Sequence, residues 1–181
     1  MQKCHLPNRL DSERIFLRRH EERDAEQLFQ LIHQNQSRLQ EFLPWMELIE
    51  KLEDEINSIK SDRRKWARSE LFNYGIFCKN NGLLIGSCGV HTLAWEENRC
   101  ELGYWIREAS LGQGYISEAI QSLEKILFEI GFKRIEIRCS SANERTQKVA
   151  RQNQYVLDHV LPKERIVRGK HQDELVFVKS R

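Results

Sequence analysis

Between residues 99 and 139 the apolar pattern changes period twice, and that change admits few folds. "RCELGYWIR", residues 99–107, reads as a strand. Ile116, Ala119, Ile120, Leu123, Ile126, Leu127 and Ile130 then recur at helical spacing until Gly131 stops the helix. "KRIEIRC", residues 133–139, returns to a strand, and a strand after a crossover helix normally runs parallel to the one before it. Upstream, "YGIFCK" and "LLIGSCGVH" flank Asn80-Asn81-Gly82, a hairpin signal with a residue suited to positive φ. An antiparallel meander therefore precedes one parallel βαβ step.

The remaining segments fit around that unit. Residues 13–19 read as a first strand. From Asp24, Leu28, Leu31 and Ile32 mark a helix that ends at Pro44, and Leu48, Leu52, Ile56 and Ile59 form the stripe of a second. A short helix near 146–152 and strands near 160–166 and 173–178 complete an α/β (α+β) fold with a mixed sheet. With 181 residues, three prolines, no Pro- or Ser/Gly-rich stretch and no internal repeat, residues 1–181 read as one domain.

Several function classes drop out. The start "MQKCHLPNRLDSER" has no apolar h-region and no window approaches a membrane span, so a cytoplasmic protein with no membrane partner is expected. Cys4, Cys78, Cys88, Cys100 and Cys139 are scattered, with no CxxC and no HExxH, so neither metal nor disulfides are expected; Cys139 reads as packing. A net charge of +2 names no partner. Lys60, Arg63, Arg64, Lys65 and Arg68 make one basic helix face beside Trp66, which reads as RNA-approaching or as a solvated face, and nucleic acid is not the expected partner.

The glycine loop carries the chemistry. In "SLGQGYIS", Gly112 and Gly114 lead into a helix N-terminus, where unpaired amides and the positive end of the helix dipole suit an anion. A tight turn explains the glycines equally well. No lysine follows as a P-loop needs. A dinucleotide fingerprint nearly fits, with Ser117 in place of the third glycine and Glu136 as the ribose acid, but the loop follows an antiparallel meander.

The third option rests on a resemblance. The stretch is similar to motif A of the GNAT N-acetyltransferases, [QR]xxGx[GA], with Leu111 and Ile116 departing from it. "CELGYWI" resembles the "AEIGYWI" strand of the RimJ/RimL-type ribosomal-protein N-terminal acetyltransferases. "SANERTQKVARQNQY", "LPW" at 43–45 and "HQDELVF" at 171–177 resemble further segments of that subgroup, with Thr146 for Ser and Gln154 for Gly.

The resemblance implies direct acetyl transfer from acetyl-CoA to a primary amine, with a protein N-terminal α-amine as acceptor. A small-molecule amine (antibiotic, polyamine or amino-acid conjugate) is the enzymatic alternative, and a non-catalytic CoA-binding or RNA-associated module the other. It implies a pyrophosphate cradle of Gly112, Gln113, Gly114, Tyr115, Ile116 and Ser117. The backbone of Tyr104, Trp105 and Ile106 lies beside the acetyl-pantetheine, with Asn143 as a pantetheine contact. Trp45 lines the acceptor site, and homodimers are usual in the subgroup. Glu118, in the first helical turn, either repels phosphates or points to solvent. Strand alternation puts Glu101, Gly103 and Trp105 on one face, so Glu101 is the candidate base, with Glu164 and Asp173 as alternative acids. Pairing with Arg99 or Arg107 would instead make Glu101 an ion-pair partner. The tyrosine that many GNAT enzymes use as proton donor is replaced by Ala150, which leaves Thr146 as donor or as a helix cap.

Overall fold

The computed structural model describes residues 3–167 and 169–181. Its strands are β1 (Arg9–Asp11), β2 (Ile15–Arg19), β3 (Phe72–Cys78), β4 (Leu84–Ala94), β5 (Arg99–Ile106), β6 (Arg134–Ser140), β7 (Val156–Val167) and β8 (Lys170–Ser180). Five α-helices accompany them: α1 (Ala25–Gln34), α2 (Gln36–Leu39), α3 (Leu52–Ala67), α4 (Tyr115–Glu129) and α5 (Glu144–Gln152). One sheet contains all eight strands in the order β1-β2-β3-β4-β5-β6-β8-β7. Among the described residues only β5 and β6 pair in parallel, as expected of strands joined through a crossover helix. The hairpin between β3 and β4 turns at Gly82, whose φ of +68° belongs to the region glycine enters without steric cost.

Register decides what each face carries. Tyr74, Cys88 and Tyr104 are cross-strand partners, as are Val90 and Leu102. This row faces α4, whose Ile116, Ala119, Ile120, Leu123 and Leu127 join one apolar core with Leu17, Leu102, Ile135 and Ile137. Burying each of these Leu and Ile side chains is worth about 1.5–3 kcal/mol. The alternate positions form the opposite face: Asn73, Gly89 and Gly103 in one row, Gly75, Ser87 and Trp105 in the next. There a smaller cluster joins Ala25, Leu28, Leu31 and Ile32 of α1 to Ile59, Leu84 and Trp105.

The second helix corrects the expected stripe. Leu48 lies in a 3₁₀ turn (Pro44–Leu48) and is 74% exposed, and Leu52 opens α3 half-exposed. Ile56 and Ile59 pack inward as expected, joined by Glu55 and Trp66, with Asp62 partly buried between them. The helix turned this way because its neighbour on the sheet is polar: Asn73 Nδ2 donates to Asp62 Oδ2 at 2.9 Å. Trp66 packs edge-on against Phe72 and Tyr74 and is buried, so it is not exposed beside the basic side of α3. The late strands also exceed their expected lengths, forming a long bulged hairpin. Among the described residues no helix is long and apolar enough to cross a membrane.

Candidate active site

The loop between β5 and α4 is shaped by two left-handed glycines, Gly112 (φ +73°) and Gly114 (φ +81°), the latter capping α4. Side chains at φ near +70° cost roughly 1–2 kcal/mol, so the path of this loop depends on glycine. Among the described residues no protein acceptor takes an amide from Gly112 to Ser117; the first bonded amide is that of Glu118, to Gly114 O at 3.1 Å. A row of free N–H groups at the positive end of a 15-residue helix is a site for an anion.

Glu118 does not spoil it. Its carboxylate turns back toward β2, accepting from Ser12 Oγ, from the Arg14 amide (2.7 Å) and from Arg14 Nε (2.9 Å). Burial would raise its pKa, but these donors hold it below the usual carboxylate range. Arg14 also donates to Gln113 O (2.9 Å) and lies 4.9 Å from the ring centre of Tyr115. Beside the loop, Arg14, Arg107, Asn80, Asn81, Gln113 and Tyr115 are among the residues lining a cavity of about 190 Å³. Ile116 points into the core, and Ser117 Oγ accepts from Asn153 Nδ2 at 2.9 Å, so any cradle at these two positions is made of backbone.

The parallel pair does not stay closed. β5 and β6 are paired only at Arg99/Arg134, Cys100/Ile135 and Glu101/Glu136. Beyond these the strands part, so the stretch Leu102–Ile106 has no partner on its β6 side. α5 starts at the mouth of this split. Its N-cap is Asn143, whose Oδ1 accepts the Thr146 amide at 3.1 Å; the cap is thus Asn143 and not Thr146. The Thr146 side chain is close enough to Tyr104 to act on its hydroxyl. That hydroxyl is buried, has no well-formed hydrogen bond, and has its pKa raised by burial. Arg38 closes the upper end, donating to the carbonyl of Ile106.

Glu101 lies on the opposite face from Leu102, as alternation required. Among the described residues neither Arg99, which pairs with Glu97 and Glu136, nor Arg107, which donates to Ser110, holds it. Arg138 Nε is 3.6 Å away, His91 Nδ1 3.8 Å away, and Thr92 Oγ1 donates to it at 3.3 Å. Burial raises its pKa, with Arg138 pulling the other way. Glu101, Glu136 and Glu174 share this region with Arg99, Arg134, Arg138 and Arg165 in one chain of ion pairs.

The other expected residues fall at various distances from this centre. Glu136 is buried and held by Arg134 and Arg138, which leaves no carboxylate for a ribose. Glu164 is exposed on β7, and Asp173 accepts the Lys163 amide at 2.9 Å; the late-strand acid nearest Glu101 is Glu174. Trp45, expected to line the acceptor site, is 42% exposed in its 3₁₀ turn. Cys139 packs in the core, where burial lifts its thiol pKa to about 11. Sequence reasoning missed His91, Thr92, Arg138 and Glu174. Alternation could have found Arg138 and Glu174, but His91 and Thr92 sit at a bulge that no period reveals.

An anion cradle, an opened parallel pair and a half-buried carboxylate on one sheet are the parts of a group-transfer enzyme that holds an extended anionic donor. The family described as "Acetyltransferase (GNAT) domain" matches residues 14–156, and the chain belongs to that family and is an acetyltransferase. It is 27% identical over 169 residues to a ribosomal-protein-serine acetyltransferase of Escherichia coli (strain K12), covering 93% of each chain. Its fold matches RimL, a ribosomal L7/L12 alpha-N-protein acetyltransferase solved with coenzyme A (TM-score 0.90, 24% identity, 95% and 97% coverage). It also matches the microcin C7 self-immunity acetyltransferase MccE solved with acetyl-CoA and AMP (TM-score 0.88, 22% identity, 93% of each chain).

Proposed function

We propose that the protein moves the acetyl group of acetyl-CoA directly onto the α-amine of a protein N-terminus of the ribosomal-protein kind. The observation that carries the donor half is the β5–β6 split opening beside the unbonded amides of Gly112–Ser117. Those amides suit the pyrophosphate. The β6 side of the Tyr104–Ile106 backbone, which has no strand partner, suits the thioester carbonyl, where an N–H stabilises the developing oxyanion. Asn143 at the mouth contacts the pantetheine arm, and the Thr146 hydroxyl protonates the departing sulfur. Glu101 serves the acceptor amine from the other face. Trp45, exposed near the α1–α3 side, receives the residues that follow it.

The acceptor half rests on relatives named for ribosomal-protein acetylation. MccE, solved with AMP, supports a small-molecule amine as the second reading. One screen separates them: release of free thiol from acetyl-CoA, with products read by mass spectrometry, across N-terminal peptides and a panel of antibiotics, polyamines and aminoacyl conjugates. Turnover on peptides is expected; turnover on the small amines alone would reverse the choice.

A homodimer is part of the same proposal. β7 is a sheet edge that carries Val156, Leu157, Val160 and Ile166 exposed, and unpaired edges of this kind invite another chain. Light scattering after gel filtration tests it, with Val156→Lys and Ile166→Lys expected to give monomers.

A further inference from the structure

The strained turn at the end of β4 bears on how the amine loses its proton. The β4–β5 register breaks between His91 and Ala94, and within that bulge Thr92 has φ +50°. For a β-branched residue this conformation is a true outlier, and bulges with such strain are found where a side chain is being re-aimed. Here two are. His91 Nδ1 lies 3.2 Å from Thr92 Oγ1, and Thr92 Oγ1 donates to Glu101 Oε2 at 3.3 Å. A hydroxyl that gives its only proton to a carboxylate must accept from the ring, so Nδ1 carries the hydrogen and Nε2 keeps its lone pair.

That lone pair points over β5. A Cβ added to Gly103 would meet His91 Nε2 at 2.7 Å, so the absent side chain at 103 is what lets the ring lie there. Nε2 has no partner among the described residues, and the His91 side chain is 37% exposed, within reach of an incoming molecule. The charged groups facing the ring are Glu101 on β5, Arg138 on β6 and Arg165 on β7. Burial, with Arg165 and Arg138, holds it below the ordinary histidine value and hence neutral at pH 7.

We propose that His91 Nε2 is the general base for the acceptor amine and that Glu101, acting through Thr92, positions and charges-stabilises it rather than taking the proton itself. Glu101 is poorly placed for direct contact, since its carboxylate is already shared between Thr92 and Arg138. One ammonium proton passes to Nε2, and the freed nitrogen pair forms the C–N bond at the thioester carbonyl. The C–S bond then breaks, sulfur leaves with its electron pair, and the second amine proton replaces the one Thr146 gives the sulfur. His91 returns its proton to solvent. This assignment rests on the acetyl-transfer reading above.

The test compares His91→Gln, Glu101→Gln and Thr92→Val at saturating acetyl-CoA, with thermal shift by CoA to show that each variant is folded and binds the donor. A positioned base is worth about 10²–10⁴ in rate. Turnover by His91→Gln should therefore fall at least about 10²-fold, and His91→Ala should regain activity with added imidazole. Glu101→Gln and Thr92→Val should each lose roughly tenfold, a minor share of that range. In Glu101→Gln the acid limb of the pH profile should move to lower pH, because the imidazolium has lost its counter-charge; Thr92→Ser should restore the wild-type profile. Near-normal turnover by His91→Gln beside collapse of Glu101→Gln would overturn the proposal. Nitrogen NMR of the wild-type ring decides independently of turnover: an Nδ1–H tautomer is expected, and an Nε2–H tautomer overturns it. Should the wild type acetylate no amine at all, the transfer reading fails while the tautomer still judges this one.

Discussion

On the α4 side the central strands present Ile, Leu, Val, Phe, Tyr and Cys, which join one apolar cluster. On the other side the same strands present Gly75, Ser87, Gly89, Gly103, Asn73 and Glu101, under helices that lower carboxyls as well as leucines. The first face is packed for cohesion, whereas the second trades cohesion for room and for polar groups. Among the described residues both faces hold buried polar atoms without a hydrogen bond, Tyr104 Oη, Tyr155 Oη and Glu124 Oε1 on the α4 side and His20 Nδ1 on the other, but only the second buries a whole carboxyl, that of Glu55, with no ion pair or hydrogen bond. Unsatisfied buried polar groups are rare and call for a reason, and making space for a substrate is one.

The contrast can be broken most forcefully at Leu123, which is fully buried on the inner face of α4. Leu123→Ala should cost about 2–5 kcal/mol, the usual range for a core leucine. Per folded molecule, turnover and the KM for acetyl-CoA should be unchanged. Urea unfolding and kinetics on the same sample decide; a variant that keeps its stability would mean this face is less tightly packed than it looks.

Gly103→Ala should show the reverse. Its new methyl meets only the far end of the His91 ring, which can swing away, so stability should move by less than about 1 kcal/mol, as is usual for substitutions away from packed groups. Turnover should fall by about 10–10²-fold as the ring leaves its position. A large fall in stability with normal turnover would assign Gly103 to packing.

Gly112→Ala falls between the two. Nothing lies within 4 Å of a Cβ there, so only the positive φ opposes it, at about 1–2 kcal/mol. If the loop relaxes to relieve that strain, its amides lose their common direction. The KM for acetyl-CoA should rise several-fold with kcat little changed, and a kcat effect without a KM effect would separate the loop from donor binding.

The same contrast explains what could be read from the chain. The α4 face follows from period alone: Ile116 to Ile130 repeat as a helix, Leu102 and Ile106 alternate as a strand, and the parallel step follows from chirality. Gly112 and Gly114 were visible because positive φ favours glycine. Glu101 was placed on its face by alternation, yet its partners were not, since Arg138 and His91 arrive from other strands. The stripe of α3 was read correctly at Ile56 and Ile59 but not at Leu48 and Leu52, because sequence patterns assume that the buried side is apolar, and here it contains Glu55 and Asp62. Thr92 was hidden for another reason: a bulge inserts residues without a mark in composition. The polar face is harder to read because its residues are chosen for a molecule that is not part of the chain.

Two of those misfit groups oppose each other with pH. Burial depresses the His20 imidazole from 6.5 to about 4, with Asp24 acting against the shift and Arg18 with it. Burial, reinforced by Asp62, raises Glu55 from 4.5 to about 7. His20 is lower in the folded state, so its contribution is complete above pH 6.5 and is lost as pH falls toward 4. Glu55 is higher in the folded state, so its contribution is complete below pH 4.5 and is lost as pH rises toward 7. Each full swing is about 3 kcal/mol, at about 1.4 kcal/mol per pH unit within its window. Between pH 4.5 and 6.5 the two slopes nearly cancel, and this pair should leave wild-type stability almost flat. Removing one partner exposes the other: Glu55→Gln should make stability climb with pH, and His20→Gln should make it fall, each by about 1.4 kcal/mol per unit. Urea midpoints at three pH values measure both. Parallel slopes in the two variants would show that these side chains are hydrated in the folded protein, and that the polar face is wetter, and less strained, than its geometry implies.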